Sequence, residues 1–214
     1  MDKWHSRGYL PHFESGEVVQ HATLHLADSL PLESIKRWTE SLNRLPLEQR
    51  DAEHRKRLEL LLDAGYGSCV LQERAIASMV QSALLHFDGE RHRMIEWVVM
   101  PNHVHVLLQM INGWELGKVV GSWKKFTAAR IVAHRKSLNG NNVLDKKTLE
   151  DGGSKTGNLD VCRQPVWHRE YWDRFVRNEE HLKNVVKYIH RNPVSAGLVE
   201  RAEQWEWGSA FWSG

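Results

Sequence analysis

Residues 97–109, WVVMPNHVHVLLQ, place His103 and His105 one residue apart inside an apolar, β-branched run. Strand side chains alternate between two faces, so the two histidines share one face while Val104, Val106 and Leu108 share the other and pack inward. The segment is therefore a sheet strand with one side committed to a core. Two readings of the histidine pair stand. It can supply hydrogen-bonded polar groups near a sheet surface, or two imidazoles converging on a divalent metal.

A second stretch, RNEEHLKNVVKYIHRNPVSAGLV (177–199), reads as a helix. Asn178 is a good N-cap, and Glu179 and Glu180 suit the positive end of the helix dipole. Leu182, Val185, Val186 and Ile189 recur at helical spacing, and Pro193 followed by Gly197 is expected to end the element. Tyr188 and Asn192, four apart, are neighbours at the margin of the apolar stripe. Here too both readings are open: an interfacial tyrosine with a pre-proline helix stop, or a functional pair.

The two stretches together, PNHVHVLL and YIHRNPVSAGLV, resemble the REP-associated tyrosine transposases, a branch of the single-tyrosine HUH endonucleases. RGYLPHF (Arg7 to Phe13), QHATLHLADSLP, SWKKFTA and EYWDRFVRNEEHL look like further family features, so the resemblance covers most of the chain. HVH alone is a short pattern. HVH followed by WKKFTA and then a Y-x-x-x-N-P helix is specific.

Composition fits this resemblance without deciding it. At 214 residues the chain can bury one core, and a single domain with insertions is expected. The balance of 29 Lys+Arg against 27 Asp+Glu gives only +2, so any nucleic-acid site has to be a local patch. Two cysteines, Cys69 and Cys162, form neither a disulfide framework nor a CxxC metal spacing, which suits a reducing cytoplasm. The start MDKWHSRG lacks a signal-peptide core, and no apolar run approaches a membrane span. Ten tryptophans are many for this size, enough for packing with some left to stack on bases.

Along the chain, residues 1–15 carry no clear period and read as an N-terminal arm. Val18 to Ala27 alternates as a strand. Leu32 to about Leu62 reads as helix in two pieces broken near Pro46, with RDAEHRKR as a solvated face. Cys69-Val70-Leu71 looks strand-like, and Glu73 to Phe87 is a helix with an Ile76, Met79, Val80, Ala83, Leu84 stripe. Two strands, Met94 to Met100 and His103 to Gln109, flank a reversal at Pro101-Asn102. Trp114 to about Arg135 is helical. The polar stretch 138–164 reads as a flexible insertion, and Val166 to Phe175 as containing a short fourth strand. EQWEWGSAFW lies within a Trp-rich tail, 200–214. This order predicts an α+β sandwich of the ferredoxin-like, split βαβ kind. An antiparallel sheet carries helices on one face, and the tyrosine lies on the last helix.

The resemblance implies a metal-dependent transposase that nicks and rejoins single-stranded, hairpin-forming repeat DNA, acting as a monomer or homodimer. Tyr188 would attack a phosphodiester and form a 5′-phosphotyrosine with a free 3′-hydroxyl. A phenol titrating at about 10 needs help at neutral pH, which a metal supplies as Lewis acid and template. His103 and His105 would be two ligands, with Asn192 at the position of an amide third ligand. Two imidazoles and an amide suit several transition metals, and the resemblance points to Mg or Mn. Lys124 and Lys125, with Arg174, Arg177, Lys187 and Arg191 around the tyrosine helix, are candidate phosphate contacts; taken singly, each also reads as a solvated surface charge. Two rival readings remain. One is a DNA-binding protein that keeps the fold without cleaving. The other is a hydrolase in which His-x-His activates water, disfavoured because no carboxylate is evident nearby.

Overall fold

A computed structural model of the chain describes residues 3–6, 11–14, 18–31, 41–42, 46–144 and 165–213. In chain order it contains β1 (Lys3–Ser6), β2 (Pro11–Glu14), β3 (Val19–His25), α1 (Leu47–Asp63) and a 3-10 turn at Val70–Gln72. Next come α2 (Arg74–Leu85), β4 (His92–Val99), β5 (His103–Met110), α3 (Leu116–Leu144) and β6 (Trp172–Phe175). The chain continues through α4 (Glu179–Ser195), a 3-10 turn at Ala202–Gln204 and the single-turn α5 (Ser209–Trp212).

The architecture is α+β. Four strands form one sheet in the order β4-β5-β3-β6, all neighbours antiparallel. The register sets Thr23 opposite His105 and His25 opposite His103, so β3 and β5 pool their polar residues on one face. On the other face Val104, Val106 and Leu108 join Ala22 and Leu24 of β3, Ile76 and Val80 of α2, and Val119 and Trp123 of α3.

The expectation of helices on one face is corrected. The histidine face also carries Val98, Met100 and Leu107, which pack on Val185 and Ile189 of α4. Leaving such side chains in water would forfeit about 1.5–3 kcal/mol each, and α4 buries them. Helices therefore cover both faces, α2 and α3 on one and α4 on the other. Because α5 follows, α4 is the last long helix and not the last helix.

Other boundaries differ for local reasons. The N-terminal arm contains β1 and β2, paired with Trp4 opposite Phe13; four-residue strands are too short to display a period. Cys69 adopts a left-handed φ of 48°, which turns the strand-like CVL into a 3-10 turn whose Leu71 N–H bonds the Pro101 carbonyl at 3.1 Å. Helix α3 runs on through 138–144, into the expected insertion, because propagating a formed helix costs little where no proline stops it. The rest of that stretch, 145–164, and most of the helical piece expected before Pro46 lie outside the described residues. In the Trp-rich tail, Val99 N–H bonds the Trp207 carbonyl at 2.9 Å and Trp205 Nε1–H bonds the Val99 carbonyl at 3.0 Å, extending the β4 edge. Among the described residues no helix is long and apolar enough to cross a membrane.

Candidate active site

Helix α4 begins as its sequence dictates: Asn178 caps it by accepting the His181 N–H at 2.8 Å, with Glu179 and Glu180 in the first turn. It does not stop at Pro193 but continues to Ser195. It closes with Leu198 N–H on the Pro193 carbonyl, Gly197 N–H on the Val194 carbonyl, and Gly197 at φ +70°. His190, two residues beyond Tyr188, is tied to Glu96 of β4 at 2.8 Å. That pair and the buried Val185 and Ile189 fix which side of α4 meets the sheet.

Opposite that side stand the strand histidines, their rings 4.8 Å apart and both buried. Each is oriented by a partner on its Nδ1. Asn102 gives both amide N–H groups to backbone carbonyls, of Leu62 at 3.1 Å and Tyr66 at 3.0 Å, so its Oδ1 faces His103 Nδ1 at 2.7 Å. His103 Nδ1 must therefore donate, leaving Nε2 as a bare lone pair. His105 Nδ1 meets Thr23 Oγ1 at 2.9 Å and His21 Nε2 at 3.3 Å. His105 Nε2 then accepts, from the Tyr188 hydroxyl at 3.3 Å and the Asn192 Nδ2 amide at 3.5 Å. Both imidazoles titrate well below the usual histidine range, through burial first; His105 and His25 act next on His103, and His21 and Arg174 on His105. They are neutral at physiological pH, the form in which imidazole binds a metal.

Tyr188 and Asn192 line a cleft of about 270 Å³ with Asp63, Asn184, Lys187, Arg191 and Ser195. Three polar atoms here are buried without a partner at hydrogen-bonding geometry: His103 Nε2, Asn192 Oδ1 and Asp63 Oδ1. His103 Nε2 and Asp63 Oδ1 stand 4.0 Å apart, and with a neutral imidazole this is neither an ion pair nor a hydrogen bond. Unpaired buried polar atoms are costly; two of these residues, Asn192 and Asp63, line the cleft and His103 does not, and a divalent cation is one partner that would satisfy such atoms. Among the described residues no three His, Cys, Asp or Glu side chains converge closely enough to hold a metal by themselves, so a donor set at this place has to include the Asn192 amide. The Tyr188 phenol is pushed above its ordinary range by burial and then by Glu59 and Asp63, with Arg174 and the Asn192 bond pulling the other way. Unaided, it is fully protonated at neutral pH.

Of the six expected phosphate contacts, Lys187 and Arg191 lie on the cleft wall, and Arg174 on β6 is near enough to act on both Tyr188 and His105. Arg177 precedes the N-cap, roughly 15 Å along the helix from Tyr188. Lys124 and Lys125 are on α3, across the sheet. The expectation for Lys124 is corrected: its ammonium donates to the carbonyls of His168 at 3.0 Å, Arg169 at 3.2 Å and Glu170 at 3.1 Å, which uses all three N–H groups. It pins the β6 approach, and its half-buried position lowers its pKa to about 8. Lys125 is exposed on the same helix. Tyr171, the other tyrosine near α4 in sequence, is buried in the core of that far face.

The strand pattern could not reveal Thr23, His21, Asn102 or Asp63 as neighbours of the histidine pair. Asp63 also corrects the expectation that no carboxylate stands near. Its one sequence signal is an acid at the C-terminal end of a helix, against the dipole.

Comparison with known proteins finds likeness to transposases. The family model for IS200-like transposases matches residues 47–152, from α1 through the histidine strand and α3, ending before α4. A putative REP-associated tyrosine transposase of Haemophilus influenzae is 25% identical over 111 residues, 52% of this chain and 54% of that protein. The chain thus spans about half the length of the curated relative it matches. A solved structure of a REP-associated tyrosine transposase bound to a REP hairpin shares the fold, with a TM-score of 0.52 at 16% identity over 95% of this chain and 82% of the other. By the family match, the relative and the fold together, the chain is similar to the IS200-like and REP-associated tyrosine transposases.

Proposed function

We propose that the chain is a metal-dependent single-stranded DNA nicking and joining enzyme, with Tyr188 as nucleophile and hairpin-forming repeat DNA as substrate. The observation that carries this reading is the Tyr188 hydroxyl on the lone pair of His105, at 3.3 Å, inside a cleft walled by Lys187 and Arg191. A structural tyrosine at a helix margin has no need of a buried, neutral imidazole pair held by Asn102 and Thr23. The strand order β4-β5-β3-β6 with α1 and α2 before the β4-β5 hairpin and α3 after it supports the ferredoxin-like, split βαβ reading.

In the proposed mechanism Lys187 and Arg191 draw a DNA phosphate into the cleft. His103 Nε2, His105 Nε2 and Asn192 Oδ1 would hold Mg or Mn. When bound, such a cation would supply Lewis-acid catalysis and a template for in-line attack. The Tyr188 oxygen forms a bond to phosphorus as the bond to the 3′-oxygen breaks. The phenol gives up a proton and the leaving 3′-oxygen takes one, so the step is balanced. Attack by another strand's 3′-hydroxyl reverses it and joins the strands.

Labelled single-stranded hairpin DNA run on paired denaturing and native gels tests this. A covalent adduct that survives denaturation supports the proposal. Retardation on the native gel alone supports a non-cleaving binder. The water-activating hydrolase, which Asp63 beside His103 makes more credible than the sequence did, would leave cleaved product without adduct.

A further inference from the structure

We infer that residues 205–209 of the Trp-rich tail are an intramolecular cap on the outer edge of β4, and that this edge, once uncapped, pairs with β4 of a second copy of the chain. β4 ends the sheet order β4-β5-β3-β6, so among the described residues its outer side has no neighbouring strand. An edge strand presents unpaired N–H and C=O groups that template pairing with another chain unless something blunts them. The sequence of β4 does little to blunt them. Met94 to Met100 reads MIEWVVM, with neither lysine nor proline and a single charge, Glu96, which is engaged by His190 at 2.8 Å. Short apolar runs rich in β-branched and aromatic residues and low in charge are the ones that self-pair. The opposite edge is guarded by its own sequence: β6 has four residues, two of them the charged Asp173 and Arg174.

The fold blunts the β4 edge in two halves. Near its start, Asp88 Oδ1 accepts the Met94 N–H at 2.7 Å, and the ladder to β5 shifts register between Met94 and Glu96, an irregularity that twists an edge away from partners. Near its end the tail takes over. Trp97 N–H donates to Ser209 Oγ at 3.1 Å, and the same hydroxyl donates to the Trp97 carbonyl at 3.1 Å. Val99 N–H donates to the Trp207 carbonyl at 2.9 Å, and the Val99 carbonyl accepts Trp205 Nε1–H at 3.0 Å. The outward polar groups of Trp97 and Val99 are all taken, three by side chains and one by backbone. A true strand would use backbone groups throughout and present a new edge of its own; a cap made of an indole and a hydroxyl ends the pairing instead. Buried Trp207 and Ala210 anchor the segment, and Glu206 is tied to Arg74 of α2 at 3.0 Å. Antiparallel pairing of β4 with its own copy is two-fold symmetric, the commonest way identical chains associate.

The test is hydrogen exchange of the full chain, read by mass spectrometry beside light scattering, at about 1 and about 100 µM. Wild type is compared with a double variant, Trp205→Phe with Ser209→Ala, which keeps most of the packing volume and removes three of the four bonds to β4. In wild type, exchange over 94–100 is expected to be the same at both concentrations, with the mass of one chain. In the double variant that stretch should exchange faster than wild type when dilute. It should then slow by about tenfold when concentrated, as the mass rises toward two chains. Unchanged exchange in β3 and β5 shows that the fold is kept; if the double variant does not fold, Trp205→Phe and Ser209→Ala are read singly by the same criteria. A folded variant that stays a single chain, with exchange over 94–100 indifferent to concentration, would overturn the inference. A dimer protected elsewhere than 94–100 would also overturn it, as would a wild type whose β4 exchange already slows with concentration.

Discussion

Asn192 separates two roles that one position can serve. As the residue before Pro193 it can mark a helix end, yet α4 runs on to Ser195 and leaves its Oδ1 buried and partnerless over the histidine pair. Asn192→Ala is expected to raise the Mn concentration needed for cleavage while changing stability by no more than about 1 kcal/mol. Asn192→Asp, keeping an oxygen donor, should cleave with an altered metal preference. An unchanged Mn titration in the alanine variant would reduce Asn192 to a structural residue. Lys124 presents the opposite case, a basic side chain read from sequence as a DNA contact and found bonded to three carbonyls. Lys124→Met should lower stability by about 2 kcal/mol or more, since bonds to a charged donor contribute about 1.5–3 each, and leave the salt dependence of hairpin binding unchanged. Urea unfolding and a salt titration of binding check both; a shallower salt slope would return Lys124 to the DNA interface. His-x-His and Tyr-x-x-x-Asn were legible because each depends on a local period. Thr23, Asn102 and Asp63 were not, because they reach the histidines through strand pairing and helix docking that no local pattern encodes.

At the scale of elements, α4 carries both the proposed nucleophile and a proposed ligand, so whatever seats the helix seats both. Ile189 is fully buried between α4 and the sheet, directly after Tyr188. Ile189→Ala is expected to destabilise the fold by about 2–5 kcal/mol. Under conditions where the variant remains folded, adduct formation and Mn affinity should fall together. Loss of adduct with Mn affinity intact would show that the helix does not position the two groups as a unit. The elements themselves were largely readable: the β4-β5 reversal at Pro101-Asn102, the α2 stripe and the α4 cap all follow from short-range signals. Which face of the sheet α4 covers was not. Its apolar stripe fits either side, and the choice was made by Val98, Met100 and Leu107, whose partners on α4 lie about eighty residues further along the chain.

Across the whole molecule, histidines other than the central pair are buried in their neutral form, His25 beside His103 and His92 at the far end of the sheet. His25 is held down to about 3 by burial, with His168 and Lys124 acting the same way and its bond to the Leu26 carbonyl opposing; His92 is lowered by burial too. In the unfolded chain a histidine titrates near about 6.5. Below that pH the unfolded state takes up protons that the folded state refuses, so stability present at neutral pH is lost as pH falls from about 6.5 toward the folded values. The urea midpoint should therefore drop steadily between pH 7 and pH 4, and a flat midpoint over that range would contradict the neutral burial of these rings. With a net charge of only +2 the proposed DNA binding needs a local patch, for which Lys187 and Arg191 on the cleft wall are candidates, so the central claim is tested at the cleft. The most direct measurement is mass spectrometry of peptides from the chain after incubation with hairpin-bearing single-stranded DNA and Mn. The account predicts a nucleotide linked through phosphate to the peptide holding Tyr188, and its absence in Tyr188→Phe. A linkage to Tyr171 or any other residue, or cleaved DNA with no linked peptide, would contradict it.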